Sequence, residues 1–181
     1  MKYLLSEQNT NRLKFRLLKN EDFNTWLSFF ETPGAARFLA MNDLTSPYEQ
    51  CKSWFEKIFE RYDKDQGGMN ALVNKDTNEL IGQAGLLIQT VDDVEELEIG
   101  YSILPKHWNN GYATEAAIKC RNYAFENNFS DSLISIIHVD NIRSEKVARN
   151  NDMHIDKKTK WRKMPVNIFR ISKNQFQKKL Q

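Results

Sequence analysis

The run Trp108-Asn109-Asn110-Gly111-Tyr112-Ala113-Thr114 puts a glycine at the start of a predicted helix, a pattern suited to holding a phosphate. The first-turn amides of a helix have no intrahelical acceptor, and the macrodipole adds positive potential at that end. The N–H groups from Asn110 to Thr114 can therefore grip a diphosphate. Gly111 removes the side chain that would bar close approach. No Gly-Lys-Ser/Thr follows, so the segment is not a P-loop and calls for neither a phosphate-gripping lysine nor a magnesium ion. The pattern fits a phosphate that is held, not transferred. Plain packing competes with this reading: Ala113, Ala116, Ala117, Cys120 and Ala124 recur at helical spacing, as a helix lying close to a sheet requires.

Proton chemistry has fewer candidates. Glu96 and Glu98 stand two apart on a predicted strand and so share a face, where either can take up a proton directly or through water. Glu98 is preferred, although a solvated face beside the acidic turn Asp92-Asp93 explains the pair as well. His138, near a strand end, can lie at a site, but a lone strand histidine is more simply structural. The cluster Lys157, Lys158, Lys160, Arg162 and Lys163 can meet a phosphate or an acidic ligand, or can be a solvated hairpin face. Cys51 and Cys120 fall at apolar positions of predicted helices and read as reduced core thiols. With His107, His138 and His154 unclustered, no metal site is predicted.

These residues need elements to position them. Leu13, Phe15 and Leu17 alternate with Lys14, Arg16 and Leu18 as a first strand. A helix then runs from Asn20-Glu21-Asp22 to about Phe30, where Thr32-Pro33-Gly34 breaks it. Ser46-Pro47 begins a second helix with its apolar stripe at Tyr48, Cys51, Phe55, Ile58 and Tyr62. Three strands follow, Asn70 to Val73, Leu80 to Gln89 and Glu96 to Ile103, with short polar turns that make antiparallel hairpins. A helix from Gly111 to about Asn127 then leads to the apolar run Leu133 to Ile137. Strand, helix and strand in that order form a right-handed crossover with parallel strands. A short helix, about Arg143 to Asn150, and a stretch containing Ile168, Phe169 and Ile171 complete the order β-α-α-β-β-β-α-β-α-β-β. The expected fold is one α/β domain over residues 1–181, its sheet mixed and mostly antiparallel around one parallel crossover, with flanking helices.

The composition limits what such a domain can do. At 181 residues, with 40% hydrophobic and 28% charged, the chain reads as one globular unit, and no apolar run approaches a membrane span. The N-terminus does not resemble a signal peptide, so the expected location is cytoplasmic. The formal net charge of +2, from 26 basic against 24 acidic residues, is too even a balance for a protein whose main partner is nucleic acid.

The run Glu98-Ile99-Gly100-Tyr101-Ser102-Ile103-Leu104-Pro105-Lys106-His107-Trp108-Asn109-Asn110-Gly111-Tyr112-Ala113-Thr114-Glu115-Ala116 closely resembles the cofactor-binding segment of the GCN5-related N-acetyltransferases, above all the branch that acetylates the N-termini of ribosomal proteins. Downstream, Asn141-Ile142-Arg143-Ser144-Glu145-Lys146-Val147-Ala148-Arg149-Asn150-Asn151-Asp152-Met153 is similar to that branch's second motif, Asn-x-x-Ser-x-x-Val-Ala-x-x-x-Gly-Met/Phe. Upstream, Leu80 to Leu86 resembles its third strand. The likeness spans roughly residues 13–172. It implies acetyl-CoA as cosubstrate, with the diphosphate on Trp108, Asn109, Asn110, Gly111, Tyr112, Ala113 and Thr114, and with Asn141 and Ser144 contributing from the second motif. It implies that strands 96–103 and 133–139 diverge to leave a wedge for the pantetheine arm. Main-chain groups of Ile103 and Leu104 would pair with the arm, and the Leu104 N–H would meet the oxyanion. A primary amine would attack the thioester directly, with no acyl-enzyme. Such an amine, of pKa about 10.4 in a lysine, must first lose a proton, for which Glu98 is the candidate base.

The sequence also departs from the family. Trp108 replaces the usual Arg/Gln of the loop, Asn109-Asn110 replace Gly-Lys, and Asp152 replaces a glycine. Ala148 stands where many relatives have the tyrosine that protonates the leaving thiolate. Ser144, or a water it positions, is the substitute the branch suggests, although a serine there would serve equally as a helix cap. The acceptor can be a protein N-terminus, a polyamine or an aminoglycoside, its pocket lined by a helical region around Glu31 to Leu44 and by the loop from Trp161 to Pro165. A homodimer is compatible with the family. A CoA-binding regulatory module of the same fold, catalytically weak, is the alternative that Ala148 and the altered loop favour.

Overall fold

The computed structural model describes residues 2–41, 44 and 46–178. Part of the expected acceptor region, Asn42 and Asp43, lies outside them. Seven strands form one sheet in the order β1-β2-β3-β4-β5-β7-β6: β1 (Leu13–Arg16), β2 (Gly67–Asn74), β3 (Leu80–Val91), β4 (Val94–Ile103), β5 (Ser132–His138), β6 (His154–Trp161) and β7 (Met164–Ser172). Every neighbouring pair is antiparallel except β4 and β5. The helices are α1 (Phe23–Glu31), α2 (Pro47–Asp63), α3 (Tyr112–Glu126), α4 (Ile142–Asn150) and α5 (Lys173–Lys178). The expected order of elements is observed, and α5 is an addition to it. Residues 32–40 are turns and bends and not the helix expected there.

Local chemistry explains the boundaries that matter for the site. Ser46 caps α2 by accepting the Glu49 N–H at 3.1 Å, with Pro47 in the first turn where its missing N–H costs nothing. Asp92 and Asp93, at φ 49° and 63°, form a two-residue hairpin turn that makes Val91 and Val94 the closing pair.

Helices cover both faces. On one, α3 packs Ala116, Ala117, Cys120 and Ala124 against Leu97, Ile99 and Ile103 of β4 and Leu133 and Ile137 of β5. On the other, α1 and α2 bring Trp26, Phe29, Phe30, Cys51, Phe55 and Ile58 onto Met69, Ala71, Leu87 and Leu104. Val91, at the tip of the β3–β4 hairpin, folds onto Ile134, Val166 and Ile168 and closes this second face over β5 and β7. Both cysteines are free and buried in these layers. Burial holds the Cys51 thiol up at about 12 and pushes Cys120 higher still, so both stay as inert core residues. Among the described residues no helix is long and apolar enough to cross a membrane.

Candidate active site

β4 and β5 share a single parallel pairing, Glu98 opposite Ile134, and then part. At the fork, side chains take over from the ladder: the Ile99 carbonyl accepts the Ser135 hydroxyl at 2.9 Å, and the Ile136 N–H donates to Glu98 Oε1 at 3.4 Å. Beyond it the two strands are no longer paired, where the resemblance implies a wedge.

The register decides which main-chain groups face that wedge. Antiparallel partners alternate between hydrogen-bonded and non-bonded pairs, and Val91–Val94 sets the phase. Even-numbered residues of β4 therefore bond to β3, and odd-numbered ones face β5. Leu104 follows this rule, donating its N–H to the Ile81 carbonyl at 3.0 Å while its own carbonyl accepts the His107 N–H at 2.8 Å. The Leu104 N–H is thus committed to β3 and is not free to serve as the expected oxyanion donor. Tyr101 and Ile103 are the residues whose main chains face the gap. Tyr101 was missed from sequence, and the two-residue turn at Asp92-Asp93 was the signal that could have found it. The Ile103 carbonyl accepts the Trp108 indole N–H at 2.7 Å.

The loop after β4 delivers the helix start to the same end. Asn109 at φ 63° and Gly111 at φ 80° turn it through left-handed conformations that Asn and Gly tolerate best. Asn110 ties it down, its side-chain amide donating to the His107 and Trp108 carbonyls at 3.1 and 3.2 Å. Gly111 is the N-cap, no side chain caps α3, and the N–H groups of Tyr112, Ala113 and Thr114 open the helix. The Tyr112 side chain points to the scaffold, its hydroxyl accepting from Asn74 at 3.3 Å and its ring lying under Arg12. Glu115 locks the turn to the chain before β1, accepting from Thr10 Oγ1 at 2.6 Å, the Arg12 N–H at 2.9 Å and Arg12 Nε at 2.7 Å. Burial raises its pKa, but these donors outweigh that and hold the carboxyl below the usual range. Thr114 continues into an open groove of about 570 Å³ that runs along Ile118 and Asn122 to Asn150.

From the other side of the wedge, α4 presents its own start. Asn141 caps it by accepting the Ser144 N–H at 3.2 Å. Capping is therefore the work of Asn141, and the Ser144 hydroxyl has no hydrogen-bond partner among the described residues. The Tyr101 hydroxyl donates to the Ser144 carbonyl at 2.8 Å, tying β4 to α4. Ala148 is fully buried, and Arg143 lays its guanidinium 4.2 Å from the centre of the Trp108 ring. Asp152, at φ 63° in the place of a glycine, is held by Arg121 at 2.9 Å.

The two candidate carboxylates separate. Glu96 is clamped by Arg170 through two bonds of 2.6 and 3.0 Å and is structural. Glu98 accepts from Gln89 Nε2 at 2.7 Å as well as from Ile136. Desolvation pushes its pKa up, against the opposing pull of Gln89, Ile136, Arg61 and Arg162, a setting that favours proton uptake nearer neutrality than for an exposed glutamate. His138 stacks on Phe38 with centroids 4.9 Å apart and accepts the Asp140 N–H at Nδ1, 3.1 Å away. That bond engages Nδ1 as an acceptor. The basic cluster belongs to the β6–β7 hairpin: Lys157 pairs with Asp92 at 2.7 Å, and Lys160 and Arg162 line a groove of about 620 Å³ with Gln89, Asp93 and Glu95. That groove is separate from the one lined by Gly111 and Thr114.

A family model described as "Acetyltransferase (GNAT) domain" matches residues 12–154. The chain is 28% identical to the "Uncharacterized N-acetyltransferase YoaA" of Bacillus subtilis (strain 168), over 76% of this chain and 77% of that protein. Among solved structures it resembles the RimL ribosomal L7/L12 alpha-N-protein acetyltransferase in complex with coenzyme A, with TM-score 0.73, 15% identity, and 92% of this chain and 97% of that one covered. It also resembles the spermidine N-acetyltransferase from Vibrio cholerae in complex with CoA and spermine, with TM-score 0.71, 15% identity, and 92% and 98% covered.

Proposed function

Since the chain belongs to the GNAT acetyltransferases and is an acetyl-CoA-dependent N-acetyltransferase, we propose that it transfers the acetyl group directly to a primary amine in a ternary complex, with a protein N-terminus as the leading acceptor. The observation that carries this reading is the parting of β4 from β5 beyond the Glu98–Ile134 pairing, at the end where α3 begins without a side-chain cap. Acetyl-CoA supplies the thioester; the rest is done by the chain.

The amides of Tyr112, Ala113 and Thr114, with Gly111 giving clearance, hold the diphosphate. Trp108, Asn109 and Asn110 shape the loop, and Asn141 and Ser144 border the arm from α4. The main chain of Tyr101 and Ile103 pairs with the arm, and the Tyr101 N–H, not that of Leu104, is the donor aimed at developing negative charge on the carbonyl oxygen. Glu98, on the face of the sheet opposite α3, takes the proton from the attacking amine directly or through water. Ser144, whose hydroxyl no cap or neighbour uses, relays a proton to the departing thiolate from a water it positions, and the proton taken up by Glu98 passes to solvent.

Polyamines and aminoglycosides are the competing acceptors, and thiol release from acetyl-CoA with each class ranks them. The second reading, a CoA-binding module without turnover, draws on two features: Ala148 offers no proton, and the Trp108 indole occupies the Ile103 carbonyl. Binding of CoA with no thiol release across peptides, polyamines and aminoglycosides would select it.

A further inference from the structure

Arg143 is exposed in the first turn of α4, and it makes no ion pair among the described residues. Its acidic neighbour Glu145 is engaged by Arg149 at 2.8 Å. The guanidinium lies instead over the ring of Trp108, 4.2 Å from its centre, and Trp108 is itself pinned by its bond to Ile103. Stacking on an aromatic face restricts a guanidinium to a plane while leaving its N–H edge free to form paired bonds with phosphate oxygens. The loop from Trp108 to Thr114 contains no lysine or arginine. The other guanidinium touching it, Arg12, is neutralised by Glu115 at 2.7 Å and donates to the Asn110 carbonyl at 3.0 Å. Lys119, which lines the groove along α3, is eight residues past Gly111, about 12 Å along the helix. Among the described residues, Arg143 is therefore the cation in contact with the loop that no carboxylate offsets.

We propose that Arg143, held on the Trp108 ring, is a further cofactor-binding residue that supplies the charge contact to the diphosphate of coenzyme A. The inference rests on the cofactor reading given above. In that arrangement the amides of α3 and the guanidinium from α4 would approach the diphosphate from opposite sides of the wedge. Trp108, in the position where relatives carry a charged or amide side chain, then serves as the platform for a charge brought from another helix.

The test compares three probes on the wild type, Arg143→Ala and Arg143→Lys: CoA and dephospho-CoA by calorimetry, and S-acetylpantetheine, which lacks the diphosphate, by kcat/KM. Arg143→Ala should raise Kd about tenfold or more for both CoA and dephospho-CoA. It should leave kcat/KM for S-acetylpantetheine and the unfolding temperature of the free protein unchanged. Arg143→Lys should recover part of the loss, and the wild type should show the steeper salt dependence of Kd. An equal loss with S-acetylpantetheine, an unchanged Kd for CoA, or a loss with CoA but not with dephospho-CoA would each overturn the proposal. If the wild type binds none of the three, the cofactor reading itself fails and takes this inference with it.

Discussion

Replacing Glu98 by Gln should abolish most turnover while leaving the fold as stable as before. Glu98 accepts two hydrogen bonds, one per oxygen, from Gln89 Nε2 and from the Ile136 N–H. A glutamine keeps the second bond through its oxygen and satisfies the first if Gln89 turns its amide over, so no buried donor is stranded. The sign of the electrostatics agrees. Desolvation raises the folded-state pKa of Glu98, so above that pKa the ionised carboxylate is a cost to the folded state, and a neutral amide removes the cost. Stability should be equal or slightly higher. Glu98→Ala, by contrast, leaves the Ile136 N–H without its acceptor and should cost about 1–3 kcal/mol, or roughly 2–4 °C per kcal/mol in a chain of this size. Loss of a general base lowers kcat by about 100- to 10,000-fold, which is roughly 3–5 kcal/mol of barrier. The assay is thiol release at saturating acetyl-CoA with the acceptor that gives the fastest turnover, followed across pH. Wild-type kcat/KM should fall on the acid side through a pKa above that of an exposed glutamate, and the variant should lose that limb. A Glu98→Gln enzyme that keeps half its activity and the same pH profile would refute the assignment.

Three further outcomes follow from the same geometry. Gly111→Ala places a methyl 3.5 Å from Arg12 Nη2, an ordinary contact, so its cost is the left-handed backbone at φ 80°, about 1–2 kcal/mol; a melt unaltered from the wild type would mean the loop is not held there. Glu115→Gln should cost about 1 kcal/mol at neutral pH, discounted because Arg12 is 39% exposed. Glu115 has a lowered folded-state pKa, so its contribution is fully present above the ordinary carboxylate range and disappears as pH falls through the folded value; denaturant titrations of both proteins should converge in acid. Ser144→Ala should lower kcat about tenfold or more with no change in melting, whereas Asn141→Ala, which removes the cap, should cost about 1 kcal/mol; equal melting losses for both would return Ser144 to a structural role.

The order of strands and helices was legible because apolar periodicity switches from two to helical spacing at clear turn signals, and the crossover through α3 left β4 and β5 no choice but to run parallel. The helix start at Gly111 was legible for the same reason: a strand, a polar loop and small residues on one helix face fix where the first turn points. What failed was parity. Leu104 was assigned to the wedge on the resemblance alone, and its amide bonds instead to Ile81 of β3. Recognition of the two-residue turn at Asp92-Asp93 selects Tyr101 and Ile103 instead. Contacts across elements were beyond any spacing rule: Arg170 on Glu96, Arg143 on Trp108, Phe38 on His138, and Asn141 relieving Ser144 of capping each join residues far apart in sequence or decide between two local options. The acceptor region was expected to be helical around Glu31 to Leu44, but residues 32–40 fold as turns and bends after the break at Thr32-Pro33-Gly34.

The central claim is that the unpaired amides opening α3 grip the diphosphate of coenzyme A, and it is tested most directly by titrating isotope-labelled protein with CoA while following the backbone amide resonances. The account predicts that the largest shifts fall on Gly111 to Thr114, with Tyr101 and Ile103 following. Saturable binding that leaves those amides unmoved and shifts another surface would contradict it.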